Sequence, residues 1–363
     1  MRAYSSNISR LGLSATMATA GLVKRLKAEG HDVIDLSVGE LDFSTPEWIC
    51  EAAIAAIRAG QTRYTSGPGL PELREAVVND MLARAGPGWD LNAANVVVSA
   101  GAKQALFDAC FSLFGPGDEV IVAAPYWTSY PAMVILARAE PVFAAGPEEA
   151  GFRLNVDCLE RVRSPATKGL ILCSPSNPTG CVYSADELAA VAQWAQHHHL
   201  WLISDEIYRR ICFSPGGHEA PCLMSLPRGD VGPHVIVDGV SKAFAMTGWR
   251  VGYSVSSTGL ATRMAALQSQ TTSNAATPSQ AAAIAALTQT KRSEDFGRTI
   301  LAALRRRRDL VVAHVREALP HLSFVEPQGG FYLFLKVESE YGGPIRCSRD
   351  WCTQVLEETG VAC

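Results

Sequence analysis

Lys242 stands in the stretch VDGVSKAFAMTGWRVGY, with Ser241 before it and Arg250 a short loop after it. An amine withdrawn from water loses proton affinity and becomes a nucleophile toward carbonyls, the chemistry of a Schiff-base lysine. Serine and arginine are suited donors to a phosphate. A second stretch, LISDEIY, puts Asp205 and Glu206 at the carboxyl end of an apolar run. A carboxylate there is costly unless a cation faces it, and a protonated ring nitrogen of a ligand is such a cation; an acidic helix N-cap is the competing role. In ILCSPSNPTG, the residues Pro175, Pro178 and Gly180 break the chain after a buried-type run. They leave Asn177, both donor and acceptor, in a plain turn or at the edge where open α/β sheets bind ligands. AGAKQ, residues 100–104, turns from strand to helix through Gly101 and aims backbone N–H groups along the helix axis, a seat for phosphate. It has neither the P-loop nor the dinucleotide glycine spacing. A lysine, a phosphate cradle, an acid and an amide at strand ends together suit pyridoxal phosphate.

Such residues need strand ends to hold them, and the hydrophobic pattern supplies strands. NVVVSAGA, VIVAAP, KGLILCSP, LWLISDEIY, HVIVDGVS and WRVGYSVSS read as strands. KQALFDACFSLF, YPAMVILARA and SADELAAVAQWAQHHH read as helices between them. In the last of these, Ser184 and Glu187 form a capping box. PELREAVVNDMLARAG is a helix with Pro71 in its first turn and Leu73, Val77 and Met81 in a stripe. Alternating strands and helices imply right-handed βαβ units and an α/β fold, a mostly parallel sheet of seven-stranded type sandwiched by helices. After about Thr277 the pattern changes. SQAAAIAALTQT and SEDFGRTILAALRRRRDLVVAHVREAL are helices, FYLFLKV a strand, and RDWCTQVLEETG a helix with Gly360 as C-cap, which reads as a smaller α+β domain. The expected division is 45–280 for the large, cofactor-binding domain and 1–44 plus 281–363 for the small one.

The 363 residues carry 32 basic and 36 acidic side chains, a formal net charge of -4, and 48% hydrophobic residues. That balance gives no electrostatic footprint for nucleic acid or an anionic membrane. No apolar run is long enough to span a bilayer and the N-terminus lacks a secretory h-region, so a cytoplasmic protein is expected. The ten cysteines include no CxxC pair, and a disulfide framework is not expected. His197 to His199 are adjacent and do not share a helix face, so no metal site is expected.

SPSNPTG, SDEIY and SKAFAMTGWRVGY, in that order and spacing, resemble the fold-type I pyridoxal-phosphate aminotransferases, most closely the bacterial aspartate aminotransferase subgroup. The likeness continues through SVGELDF, RYTSGPGLPELREAV, AGAKQAL, GDEVIVAAPYWTSYP and GGFYLFL. The resemblance implies roles residue by residue. Lys242 is the Schiff-base lysine and proton shuttle. Asp205 keeps the cofactor ring nitrogen protonated. Asn177 and Tyr208 hydrogen-bond the ring oxygen, with Tyr208 counted among the catalytic residues. Trp127 stacks on the ring, its competing role being core packing. Gly101, Ala102, Ser241 and Arg250 hold the phosphate, and Tyr64 reaches the phosphate of a neighbouring subunit in a homodimer. Gly39 brings a backbone N–H to the substrate carboxylate, beside Trp127 and Asn177. Lys103, a cofactor contact as well, lies with Ser14 and Thr16 near the distal carboxylate of a dicarboxylic substrate.

The implied reaction is ping-pong transamination between an amino acid, aspartate or glutamate, and a 2-oxo acid. The same Lys242 and Asp205 would serve a lyase of this fold. The family chain normally continues past the helix WCTQVLEETGVAC to an arginine that clamps the substrate α-carboxylate, whereas this sequence ends at Cys363. Either the sequence is a truncated product, with the end of the small domain missing, or the protein binds cofactor and turns over poorly. Leu41 replaces the usual proline of GELDF, and Gly12 stands where prephenate-accepting relatives carry lysine.

Overall fold

Seven strands carry the residues singled out above: β1 (Val96–Ser99), β2 (Glu119–Ala124), β3 (Glu140–Ala145), β4 (Thr167–Cys173), β5 (Trp201–Asp205), β6 (His234–Gly239) and β7 (Gly252–Ser256). The computed structural model describes residues 5–12, 15–213 and 219–363, the side chains of 15–18 apart. The strands lie in the order β1-β7-β6-β5-β4-β2-β3. β7 runs antiparallel to both neighbours, and the remaining pairs are parallel. Every residue of β6 and β7 is buried, as expected where helices cover both faces.

The sheet brings distant sequence to one edge. In register, Cys173 faces Asp205 and Asp205 faces Val237. The Asn177 loop, Asp205 and the Ser241–Lys242 turn therefore leave three adjacent strands at their carboxyl ends.

The helices follow the sequence pattern. They include α1 (Glu47–Arg58), α2 (Pro71–Leu82), α3 (Ala102–Leu113), α4 (Ser129–Leu136), α5 (Ala185–His197), α6 (Thr258–Thr271), α7 (Thr277–Thr288), α8 (Thr290–Ala318) and α9 (Ser348–Thr359). Leu73, Val77 and Met81 of α2 are buried. The Ser184–Glu187 capping box opens α5, and Gly360 closes α9 in the left-handed region at φ 72°. Beyond the sheet, Ile34–Asp35 pairs in parallel with Val361–Ala362, and Ser323–Phe324 pairs with Leu335–Lys336. Of FYLFLKV only Leu335 and Lys336 enter a ladder; the residues before it, Gln328 to Gly330, bond to Gly180, Ile211 and Phe213. β3 has no counterpart in the sequence reading. EPVFAA is a half-exposed edge strand that carries a proline and a charge, which hides its period. Among the described residues, no helix is long and apolar enough to cross a membrane.

Behind β5 and β6 lies a buried ion network. The Arg209 side chain, 1% exposed, donates to Asp238 at 2.8 Å, to Asp80 at 3.2 Å and to Glu219 at 2.5 Å. Arg84 and Arg210 bond the same Asp80 and Glu219. Burial alone would raise Asp80, but the three guanidiniums hold its carboxyl well below the usual range. Arg209→Met strands Asp238 in the interior, while Asp80 keeps Arg84 and Arg210, and is expected to cost about 3–5 kcal/mol, read from urea unfolding. A loss below about 1 kcal/mol would contradict this.

Candidate active site

At the carboxyl end of β5, the Asp205 carboxyl is buried, accepting from the Tyr130 hydroxyl at 2.7 Å and the Ile207 N–H at 3.2 Å. Burial pushes its pKa up to about 6; the two hydrogen bonds oppose this and Asp238 adds to it. Glu206 turns elsewhere. One oxygen of its buried carboxyl accepts from Ser204 at 2.9 Å and Leu223 N–H at 2.8 Å, and the other has no protein partner. Burial pushes Glu206 up to about 7. The two adjacent acids therefore do separate work.

Lys242 follows β6, and its Nζ donates to the Gly39 carbonyl at 2.6 Å. Its nitrogen lies 5.7 Å from the Phe331 ring centre. Burial is the largest influence and lowers its pKa to about 8; Arg250 and Lys103 act in the same direction, while Glu40 and Asp205 oppose. The loop that carries it bends twice through the left-handed region, at Ala245 (φ 52°) and Arg250 (φ 55°). A side chain held there stores about 1–2 kcal/mol of strain. The bend lays the Arg250 guanidinium on the Ala100 carbonyl, 3.2 Å away, beside the first turn of α3.

Two glycines allow that approach. A Cβ at Gly101, whose φ is 89°, would meet the Arg250 guanidinium. A Cβ at Gly252 would meet the backbone of Gly101 and Ala102. The amino end of α3 and Arg250 thus form a cradle of donors without side-chain bulk, the chemistry an anion requires, while Ser241 is buried in the turn that carries Lys242. Lysine, acid and cradle fit pyridoxal phosphate in kind and placement.

Half-buried Asn177 lies in the loop after β4. Tyr208 is buried, with its hydroxyl 2.6 Å from that of Tyr332. Trp127 meets Tyr130 edge-on at 5.4 Å, and the Lys103 Nζ lies 4.8 Å from its ring centre. Burial, then Arg250, lowers the Lys103 pKa. Tyr64 is 89% exposed, away from these groups. Ser14 and the Thr16 side chain lie outside the described residues. His198 Nε2 lies 2.6 Å from Glu160, at the end of α5.

Tyr130 and Tyr332 were missed from sequence. Tyr130 meets Asp205 across 75 residues, and nothing local marks it apart from the apolar helix around it. Tyr332 sits in GGFYLFL, where the expected strand alternation hid it.

Asp205 binds its proton more tightly folded than unfolded. Its contribution to stability is therefore complete below about pH 4 and lost as pH rises through about 6. The loss is on the order of 3 kcal/mol in cofactor-free protein. Urea midpoints across that window should fall for the wild type by more than for Asp205→Asn; equal slopes would contradict the buried carboxyl.

Comparison with known proteins gives concordant matches. A family model described as aminotransferase class I and II matches residues 31–363. An aspartate/prephenate aminotransferase of Cereibacter sphaeroides is 39% identical, covering 100% of this chain and 90% of that protein. An aspartate aminotransferase of Geobacillus stearothermophilus is 38% identical, covering 98% of this chain and 88% of that protein. The structure of aspartate aminotransferase from Thermus thermophilus with maleate superposes with a TM-score of 0.90 at 37% identity, covering 100% of this chain and 91% of that one.

Proposed function

The chain belongs to the aminotransferase class I and II family, and we propose that this site moves an amino group from aspartate or glutamate to a 2-oxo acid in two half-reactions. The observation that carries the reading is the convergence of a half-buried lysine of lowered proton affinity and a buried acid at one sheet edge, beside an anion cradle. Pyridoxal phosphate, when bound, supplies an aldehyde and an electron-accepting ring that stabilises negative charge at the substrate α-carbon. The chain's residues do the rest.

Gly101, Ala102, Ser241 and Arg250 would hold the phosphate. Asp205 would face the ring nitrogen, regaining the charge partner that burial denies it. Asn177 and Tyr208 would bond the ring oxygen, and Trp127 would cover a ring face. Lys242, with its pKa lowered to about 8, reaches its neutral form far more readily than an exposed lysine does. It would carry a proton between the substrate α-carbon and the cofactor within each half-reaction, off the α-carbon of the amino acid in the first and onto the α-carbon of the oxo acid in the second.

Lys103 is the basis for the substrate class. A cation over Trp127 suits a second carboxylate, as does the maleate named for the Thermus thermophilus structure. Gly39 and Thr16 would complete the substrate contacts. Exposed Tyr64 would serve a second copy of the chain, making a homodimer the working form. The division into a large domain at 45–280 and a small one at 1–44 with 281–363 suits a site lined by Gly39 from one and Lys242 from the other.

Lys242→Ala should lower aspartate–2-oxoglutarate transamination by about 10⁴-fold or more while leaving the urea midpoint near wild type. Full turnover in that variant would contradict the assignment. Pyruvate with ammonia from the wild type, in place of a paired amino acid and oxo acid, would point to a lyase.

A further inference from the structure

The turn from β1 into α3 carries the anion cradle, and the Ala100 peptide unit in that turn is held from both sides. The Ala100 carbonyl accepts from Arg250 at 3.2 Å, the contact that sets the guanidinium beside α3. The Ala100 N–H donates to Gln104 Oε1 at 2.7 Å. Gly101 follows at φ 89°, its own N–H on the Ser99 carbonyl at 2.8 Å.

That N–H settles which way the Gln104 amide faces. Its oxygen accepts, so its two hydrogens point away from the cradle, and the three groups that meet them are all acceptors. Thr272 Oγ1 lies at 2.7 Å, Gln268 Oε1 at 3.2 Å and Asp108 Oδ2 at 3.3 Å. Gln268 is fully buried in α6 and is itself fixed: its Nε2 donates to the Val98 carbonyl of β1 at 2.8 Å and to the Gly67 carbonyl at 2.6 Å. Thr272 caps the end of α6, its N–H on the Gln268 carbonyl at 3.0 Å. A long side chain bonded at one end only would give up rotamer freedom for little hold; Gln104 is bonded at both.

We propose that Gln104, oriented by Gln268 and Thr272, is a positioning residue for the anion cradle. It acts through Ala100. With the N–H pinned, the carbonyl stays where Arg250 rests on it, and the guanidinium is in place before an anion arrives. The proposal rests on reading the cradle as a phosphate seat, and it names what preorganises that seat.

The test is titration of the cofactor-free full chain with pyridoxal phosphate and, separately, with pyridoxal, which lacks the phosphate, with binding read from tryptophan fluorescence. The ratio of the two dissociation constants isolates the cradle. The wild type should bind pyridoxal phosphate far more tightly. Gln104→Leu should cut that preference about ten-fold and Thr272→Val about three-fold, through weaker binding of pyridoxal phosphate with pyridoxal unchanged. Thr272→Ser keeps the hydroxyl and should keep the wild-type ratio. Thr272 is exposed, so its variants should also keep the wild-type urea midpoint. A wild-type ratio in Gln104→Leu or in Thr272→Val, or an equal loss of affinity for both ligands, would overturn the role of Gln104. Equal binding of both ligands by the wild type would instead overturn the reading of the cradle on which the proposal rests.

Discussion

The burial of Asp205 at the end of β5 constrains much of what surrounds it. A carboxyl removed from water inside a sheet must be hydrogen-bonded, neutralised or paired with a cation. The protein supplies only part of this: one phenol, one backbone N–H, and the charge of a lysine whose amine is bonded to the Gly39 carbonyl instead. Asp238, one strand over, makes the deficit larger. Arg209 answers Asp238 from behind, and Asp80, Glu219, Arg84 and Arg210 answer Arg209 in turn. The network bonds and fixes Asp238, opposing the burial that raises its pKa, and leaves the raised affinity of Asp205 to be met from the cleft.

The other half of the site rests on backbone. Gly252 lets the amino end of α3 lie directly on β7, and Gly101 leaves room for the Arg250 guanidinium. Arg250 reaches that place only by adopting a left-handed conformation that a side chain resists. The strain is held by bonds at both ends of the loop, from Thr45 to Ala245 and from Arg250 to the carbonyls of Thr247 and Ala100. A preformed cradle of this kind spends little ordering energy when an anion arrives.

Most of this arrangement was legible in the sequence. The strands β4 to β6 are continuous apolar runs ended by proline, acid or a small residue, and their ends are the site. Helix α2 and the cap of α5 follow from spacing alone. Lys242 and Asp205 stand out in the sequence because each puts a costly or reactive group at such an end, whereas the role of Asn177 comes from the family resemblance. What stayed hidden depends on contacts distant in sequence. Tyr130 meets Asp205, Tyr332 meets Tyr208, and Arg209 gathers partners from three elements; no local period records such a meeting. The strand expected through FYLFLKV gave way to loop contacts that dock Phe331 against Tyr208 at 5.5 Å.

The central claim is that this one chain binds pyridoxal phosphate at Lys242 and uses it to take an amino group from a dicarboxylic amino acid. The most direct test is the visible absorption of the protein loaded with pyridoxal phosphate, recorded before and after aspartate or glutamate is added without an acceptor. The account predicts a yellow band that bleaches as the matching 2-oxo acid appears, one equivalent per site. A band that forms and then persists in the presence of both amino acids, with no oxo acid released, would contradict it.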